Sequence, residues 1–395
     1  MQKLSLGMFV VLTLIVVPLI GMLFPQEVSA LPAWGRKYNA DCSLCHSPAV
    51  PRLNKTGQKF RWSGYRMPDE VGKSQDISKA GNFLSLRARG RAEYKNPEGA
   101  METNRFAWHD TTFFYAGALT KTLSSFTEFE WEDGKVELLS QVRAFFGESS
   151  NQFTTIRLGQ FHSMQGVGIG GFDRPTGISR PEPLSSRALT SSAIPFRIRE
   201  NQQGAEVAHV VNNSRFIAQV LNGLAVGGNS GVEGEQDKNK DIMFAYERIL
   251  DDLASGFTLY GYRGVWNDGT EESDYSFYRY GAVANKIFSS GTEIIGGYFR
   301  AEDMVPSAVG TDVQGNSFYV EGQHFLKPLD TTLLARFDWV DPNDSLGGNN
   351  RKIETIGVVH TYESHLRLAL EGNRSVNDAT NKTDYQVVVE AMLNF

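Results

Sequence analysis

The sequence predicts a mainly β fold, a 16-stranded antiparallel β-barrel that spans a membrane and follows a small N-terminal segment. The 395 residues include 39 Gly, 25 Phe, 14 Tyr and 6 Trp, without helical periodicity. Such a composition favours many strands over a helical or doubly wound protein. Two further patterns support the barrel. Apolar and polar residues alternate within the strand-like segments, and short connections alternate with long ones.

The first 30 residues have the features of a secretory signal peptide. One basic residue precedes an apolar run over residues 4–24, and small residues at 28–30 provide a cleavage site. We therefore expect residues 1–30 to be removed and the mature chain to begin near Leu31. An uncleaved membrane anchor is the alternative, because the apolar run is long enough to span a bilayer. Either interpretation implies export.

Sixteen segments of the remaining chain have the length and pattern of membrane-crossing strands. A tilted strand needs about 9–11 residues to cross a bilayer. The segments cover residues 83–94, 106–119, 123–132, 136–146, 152–161, 203–212, 214–222, 241–250, 256–266, 274–288, 292–301, 316–326, 330–340, 351–362, 364–373 and 383–395. The barrel is accordingly assigned to residues 82–395.

Connections between these segments alternate in length. If both ends of the barrel chain lie in the periplasm, even-numbered connections face the periplasm and odd-numbered ones face outside. The even ones, such as TKT and SSG, are short, whereas the odd ones include the long segment 162–202 and NRSVNDATN. The short EDGK after Trp131 is the exception. Because short periplasmic turns and long outer loops are typical of outer-membrane barrels, we expect this protein in the outer membrane, in contact with its lipid.

Alternation within the strands predicts one face toward lipid and the other toward a wet lumen. Counted back from Leu393, every second residue of the C-terminal TDYQVVVEAMLNF is apolar or aromatic, and the residues between are mostly polar. A final strand that ends on Phe resembles the last strand of bacterial outer-membrane barrels. A soluble β-sandwich with solvated faces is the alternative, although sixteen long strands are unusual for one.

The stretch NADCSLCHSP contains the only two cysteines of the chain, Cys42 and Cys45, and His46 follows directly. C-x-x-C-H is the attachment signature of a c-type haem. The two thiols add to the two vinyl groups on one edge of the porphyrin, and the adjacent imidazole becomes the proximal ligand of the iron. We therefore expect one covalent haem c, attached through Cys42 and Cys45 and ligated by His46.

Three other interpretations of the motif fit less well. A thioredoxin-like site requires a βαβ context that is missing here. A structural zinc site requires four ligands, and no second Cys or His pair lies nearby in the sequence. A disulfide loop in an oxidising compartment leaves His46 without a role.

The segment that carries the motif is too small to fold alone. Domains below about 40 residues rarely fold unaided, and residues 31–75 offer only a few apolar side chains such as Phe60, Trp62 and Tyr65. A 16-stranded barrel leaves a channel unless it is plugged. We therefore expect residues 31–75 to form a monohaem cytochrome segment that plugs the barrel or caps its periplasmic mouth.

The second axial ligand of the iron is left open. Met67, in the same segment, is the first candidate, and a thioether there would raise the reduction potential; packing on the porphyrin is its alternative role. His162 and Met164 are candidates if the segment 162–202 folds into the lumen. An open position that binds a small ligand is also compatible. The remaining histidines fall in the barrel region: His109, His209, His324, His360 and His365.

YNADCSLCH, followed by PRLNKTGQKFRWSGYRM and a barrel, resembles the fused single-haem cytochrome–porins of the outer membrane of iron-oxidising bacteria. The resemblance is specific over about residues 31–70 and architectural over residues 82–395. It implies a porin-like barrel that passes electrons from extracellular ferrous iron to periplasmic c-type cytochromes. Related sequences also occur in bacteria not known to oxidise iron, so electron transfer is better supported than any donor. The shared pattern falls on Pro51, Leu53, Asn54, Gly57, Phe60, Gly64 and Tyr65.

Three functions are therefore expected as alternatives. The first is an electron conduit that uses one haem to pass electrons from an extracellular donor, Fe(II), to a periplasmic c-type cytochrome, so that the reaction is Fe(II) oxidation. The second is a solute porin whose haem segment is a gate or sensor, and the third is outward electron transfer to an extracellular acceptor. A net charge of −6 argues against nucleic-acid binding.

Acidic residues on the third segment have two possible roles. Glu128, Glu130 and Glu132 alternate with apolar residues and, near the outer rim of the lumen, can attract hydrated Fe²⁺. Alternatively they balance the arginines Arg87, Arg89 and Arg91 of a nearby strand. The second role is favoured.

Overall fold

The computed structural model describes residues 32–47, 50–132, 134–168, 175–185, 194, 196–224, 239–267, 274–304, 312–362 and 365–394. The predicted signal peptide lies outside these residues. Among the helices within the described ranges, none is both long and apolar enough to cross a membrane.

Sixteen antiparallel strands form one closed barrel, as the sequence predicts. Each strand pairs with its neighbours along the chain, and the last strand closes the barrel on the first. The strands are β1 Leu84–Asn96, β2 Thr103–Ala118, β3 Leu123–Glu132, β4 Lys135–Ser149, β5 Gln152–His162, β6 Asn201–Val211, β7 Ser214–Leu221, β8 Asp241–Ile249, β9 Gly256–Asn267, β10 Asp274–Ile287, β11 Thr292–Asp303, β12 Val313–Leu326, β13 Thr331–Asp341, β14 Arg351–Tyr362, β15 Leu366–Asn377 and β16 Lys382–Asn394.

Connection lengths confirm the predicted asymmetry at both ends of the barrel. The short turns between β2 and β3, β4 and β5, and β6 and β7 share one end with the first residue of β1 and the last of β16. The prediction for NRSVNDATN is wrong, since it is not a long loop. β15 and β16 stay paired up to Asn377 and Lys382, because continued backbone pairing satisfies the polar groups of this stretch.

Side chains alternate between a lipid-facing exterior and a lumen, as the period-two pattern requires. In β16, Ala391 and Leu393 are exposed on the outside, whereas Glu390 is buried on the inside. The exposed apolar side chains of the other strands include Phe106, Trp108, Phe113, Trp131, Val136, Leu158, Phe216 and Phe244. Such an apolar exterior is what a barrel in lipid requires.

Buried charged side chains line the inner wall and are paired with each other. Arg157 of β5 and Arg215 of β7 both contact the Glu206 carboxylate of β6, and Arg215 Nη1 also lies 3.1 Å from Glu247 Oε2 of β8. An unpaired buried charge is costly. These ion pairs offset that cost, so charged side chains can be packed inside the barrel.

The segment between β5 and β6 folds into the lumen and crosses it. Ser163 Oγ donates to the Ile198 carbonyl oxygen at 2.7 Å, near where the segment begins and ends. The far side of the segment reaches β15, where the backbone N–H groups of Ile178 and Ser179 donate to the Glu371 carboxylate. The inward folding considered for residues 162–202 is therefore present. Among the described residues of the segment, Glu182–Ser185 form a short helix.

The N-terminal segment occupies the short-turn end of the barrel. It contains helices α1 (Pro32–Tyr38) and α2 (Lys55–Trp62) and three 3-10 turns, Cys42–Leu44, Pro68–Glu70 and Ala80–Asn82. Arg66 Nη2 donates to the Thr120 carbonyl oxygen at 3.0 Å, and Lys59 Nζ donates to Asn151 Oδ1 at 2.6 Å. Both acceptors lie in short turns, so the described part of the segment contacts the short-turn end of the barrel. Its role as a cytochrome plug or cap stays a prediction.

Candidate functional site

The C-x-x-C-H stretch forms a tight loop that rests on the start of α2. The His46 backbone N–H donates to the Cys42 carbonyl oxygen at 2.8 Å, closing the loop. Asn54 caps α2 by accepting from the Gly57 N–H at 3.0 Å, and its amide donates to the Ser43 and Leu44 carbonyl oxygens. One side chain therefore starts the helix and satisfies two carbonyl groups of the loop.

Gly57 lets α2 approach this loop closely. A Cβ atom at this position would lie 2.2 Å from the Cys45 carbonyl oxygen, which belongs to the backbone and cannot move aside alone. The glycine and the asparagine of the sequence pattern thus hold the two elements in contact.

His46 is held in a defined tautomer. Its Nδ1 lies 3.0 Å from the Arg52 carbonyl oxygen. Since a carbonyl oxygen only accepts, Nδ1 carries the proton and Nε2 keeps its lone pair. Loss of solvent around the ring lowers the pKa of His46 to about 4, so the imidazole is neutral at pH 7. A neutral imidazole that donates through one nitrogen to a backbone carbonyl is the usual state of a metal-ligating histidine.

The two cysteines are free thiols rather than a disulfide. Burial raises the pKa of Cys42 to about 12 and that of Cys45 to about 11. Catalytic C-x-x-C thiols of redox enzymes have lowered pKa values. The environment of Cys42 and Cys45 therefore argues against a thioredoxin-like site.

A cavity separates this loop from the inner wall of the barrel. It has a volume of about 300 Å³ and is partly open to solvent. The loop side includes Cys45, His46 and the ring of Phe60, and the wall side includes Phe114 and Met392. This volume is at the lower end of the range of ordinary ligand pockets, about 300–1,000 Å³. A thiol and an imidazole beside an aromatic cavity are the donor set that a covalently attached haem would require.

Met67 lies apart from this cavity. Its backbone N–H donates to Glu70 Oε2 at 2.9 Å where the turn Pro68–Glu70 begins, and it is not among the described residues that line the cavity. Met392 does line it, from β16. The sequence indicates that the Met392 side chain faces the lumen, because Met392 occupies an inward position of the alternating C-terminal strand. Ligation by Met67 stays a prediction.

His162 and Met164 are buried where the inward segment begins. His162 Nε2 lies 3.3 Å from Arg199 Nη2, and neither His162 nor Met164 lines the cavity beside His46. The other described histidines have local partners in the barrel. These partners are Glu132 for His109, Thr154 for His209, Thr292 for His324, Thr331 for His360 and the Asn394 carbonyl for His365.

Glu128 and Glu130 of β3 pair with Arg87 of β1, as the favoured alternative predicts. Arg87 Nη2 lies 2.8 Å from Glu130 Oε2 and 3.7 Å from Glu128 Oε1. Glu132 instead lies beside His109. In the part of the chain that the structure describes, no group of three or more His, Cys, Asp or Glu residues could hold a metal ion.

Comparison with known proteins places the fold among outer-membrane porins. An anion-selective porin from Comamonas acidovorans has a TM-score of 0.61 and 13% identity, over 79% of this chain and 98% of the porin. The channel DcaP of Acinetobacter baumannii has a TM-score of 0.56 and 9% identity, over 79% and 96%. In-vitro folded OmpT of Vibrio cholerae has a TM-score of 0.53 and 13% identity, over 79% and 97%.

Neither a scan against models of protein families nor a search of curated proteins finds a match. The similarity to solved structures shows the fold alone, a porin-like barrel. A closed 16-stranded barrel with an apolar exterior is an outer-membrane architecture, and the predicted location in the outer membrane, in contact with lipid, is confirmed.

Proposed function

We propose that this protein is an outer-membrane electron conduit with one covalent haem c, which accepts electrons from an extracellular donor such as Fe(II) and passes them to a periplasmic c-type cytochrome. The observation that carries the proposal is His46. It combines the C-x-x-C-H position with a neutral imidazole, a protonated Nδ1 held by the Arg52 carbonyl and a place on the cavity wall. When bound, haem supplies a one-electron iron couple.

The residues of the chain supply attachment, orientation and cover. Cys42 and Cys45 would provide the thiols for thioether bonds, and Nε2 of His46 would provide the lone pair that ligates the iron. Trp34, Phe60 and Tyr65 form an aromatic group, with Trp34 and Tyr65 stacked at a centroid distance of 5.1 Å. The three rings line the cavity on the side of the N-terminal segment.

The position of the segment also supports an electron conduit. A haem attached to Cys42 and Cys45 would lie at the short-turn end, which faces the periplasm in barrels of this orientation. A soluble periplasmic cytochrome can approach that end. The route to the outer face would cross the lumen, whose described interior is occupied by paired charges and the inward segment.

A solute porin with a haem-containing gate or sensor is the second candidate, and the porin fold favours it. The proteins of similar fold include one described as an anion-selective porin. One observation argues against an open pore. The N-terminal segment fills one end of the barrel, where side chains such as Trp62 and Arg66 have almost no solvent exposure.

The first experiment asks whether haem is attached at all. We expect the purified protein to retain haem peroxidase staining after denaturing electrophoresis, and the Cys42→Ser/Cys45→Ser variant to lose it while still forming a heat-modifiable barrel. Fe(II) added outside proteoliposomes should then reduce the haem absorption bands. Unreduced haem, together with free passage of small ions or sugars, would favour the porin instead.

Axial ligation is tested separately by spectroscopy. If Met67 ligates the iron, Met67→Ala should change the ferric spectrum and remove the methionine-to-iron charge-transfer band. Met392→Ala is the matched comparison, because Met392 lines the cavity from the barrel wall. A spectrum unchanged in Met67→Ala excludes Met67 as the ligand.

A further inference from the structure

Arg52 joins the candidate haem ligand to the barrel wall through a continuous set of contacts. Its carbonyl oxygen accepts from His46 Nδ1 at 3.0 Å and from the Ser47 N–H at 3.2 Å. Its guanidinium group points the other way, into the wall. One residue therefore contacts both the imidazole and the strands.

The wall side of this connection consists of two buried carboxylates. Arg52 Nη2 donates to Glu321 Oε1 of β12 at 3.2 Å, and Arg52 Nε lies 2.9 Å from Glu293 Oε2 of β11. The Nε contact is an ion pair between the guanidinium group and the Glu293 carboxylate. The side chains of Arg52, Glu293 and Glu321 are 4%, 0% and 3% exposed, so water does not screen these contacts.

Both carboxylates are themselves held in place. Glu293 accepts from Asn285 Nδ2 at 2.7 Å and from Gln323, and Glu321 Oε2 lies 3.5 Å from Arg336 Nη1. A rigid, buried acceptor pair fixes the position of the guanidinium group. A fixed side chain in turn restrains the backbone carbonyl that faces His46.

We infer that Arg52 is a positioning residue, through which Glu293 and Glu321 of the barrel wall set the orientation and electron-donating strength of the His46 imidazole. The inference rests on the proposed haem function. It assigns a role to barrel residues that do not contact the motif. Outer-shell partners of a ligating histidine fix its ring and raise its basicity, so the barrel would tune the reduction potential of a haem attached outside its strands.

Two charge-conserving variants test this role from the two sides of the contact. Arg52→Lys keeps the positive charge and loses the planar fork, and Glu321→Asp keeps the negative charge and shortens the carboxylate by one methylene. Each should loosen the hydrogen bond from His46 Nδ1–H to the Arg52 carbonyl oxygen. The imidazole would then donate less electron density to ferric iron, and the midpoint potential of the haem should rise. Ferric electron paramagnetic resonance should show a changed or broader ligand field at the iron. Net charge is unchanged, so a shift cannot come from the loss or gain of a charge.

Asp252→Glu is the matched control, because it also conserves net charge. Lys55 Nζ lies 2.7 Å from Asp252 Oδ1, an exposed ion pair that also joins the N-terminal segment to the barrel without touching His46. This variant should leave the potential and the resonance spectrum at their wild-type values. An equal shift of the midpoint potential in all three variants would show that any weakened contact between the N-terminal segment and the barrel has this effect. That result would overturn the inference.

The outcomes separate this inference from the function on which it rests. If wild-type protein carries no covalent haem, the proposed function fails. If it carries haem and neither Arg52→Lys nor Glu321→Asp shifts the potential or the spectrum, only the positioning role fails. Heat-modifiable mobility of each variant establishes that its barrel has assembled before the haem is measured.

Discussion

At the scale of single residues, close contacts around the C-x-x-C-H loop leave little room for change. Gly57 faces the Cys45 carbonyl oxygen, and Asn54 bonds both the start of α2 and the loop. Both residues belong to the sequence pattern on which the prediction of a cytochrome segment rests. Their role in packing gives a physical reason for residues that look unremarkable in the sequence.

Gly57→Ala should displace the loop from α2 and lower haem attachment. The added Cβ would sit 2.2 Å from a backbone oxygen and 2.9 Å from Leu53 Cδ2, and overpacking of this kind costs about 1–3 kcal/mol. Haem staining per amount of folded barrel measures the effect. Gly81→Ala is the control, since its Cβ would meet nothing within 4 Å. Full staining in Gly57→Ala would contradict the close approach.

At the scale of elements, the segment between β5 and β6 is held across the lumen by groups on the far strands. Glu371 accepts from Ile178 N–H at 2.8 Å and from Ser179 N–H at 3.0 Å, and Arg367 Nη2 donates to the Thr176 carbonyl at 2.6 Å. Backbone groups inside a barrel need such partners, because little water reaches them. These contacts make the inward fold a defined structure.

Removing the Glu371 carboxylate should loosen the inward segment and widen the passage. Glu371→Ala leaves two backbone N–H groups without acceptors, and each unsatisfied buried donor costs about 1–3 kcal/mol. Single-channel conductance in planar bilayers should rise above the wild-type level. Glu354→Ala, which removes an exposed ion pair with Arg374, should leave conductance unchanged. Equal conductance in Glu371→Ala and wild type would show that the segment does not limit the passage.

At the scale of the whole molecule, the barrel and the N-terminal segment have separate sources of stability. The strands satisfy their backbone groups by pairing with each other around a closed ring. The N-terminal segment instead depends on the barrel, through Arg52, Lys55, Lys59 and Arg66. The segment should therefore require the barrel, whereas the barrel should not require the segment.

Deletion of residues 32–75 behind the predicted signal peptide should leave a barrel that assembles and conducts ions more freely. Carboxylates such as Glu293 and Glu321 would lose their partner from the segment and become hydrated by lumen water. Heat-modifiable mobility measures assembly, and bilayer conductance measures the opening. A deletion variant that fails to assemble would show that the two parts fold as one unit.

Much of the fold is readable from the sequence because its signals are local. The period-two alternation involves residues that are close to each other in sequence, and the lengths of the connections are counted directly along the chain. Together these two signals predict all sixteen strands. The observed bounds of strands such as β12 and β15 differ from the predicted bounds by several residues, because pairing continues beyond the membrane-crossing part. The C-x-x-C-H motif is also local, so it identifies Cys42, Cys45 and His46 as the haem-binding candidates.

Contacts that depend on barrel closure could not be derived in this way. Glu321 lies 269 positions after Arg52, and no pattern near either residue announces their pairing. Met392 lines the cavity near His46 because β16 closes on β1 at the same end that receives the N-terminal segment. The sequence alone determined the strands, their faces and the attachment motif. The tertiary structure alone decided which wall residues surround the motif, because ring closure brings together residues from the two ends of the chain.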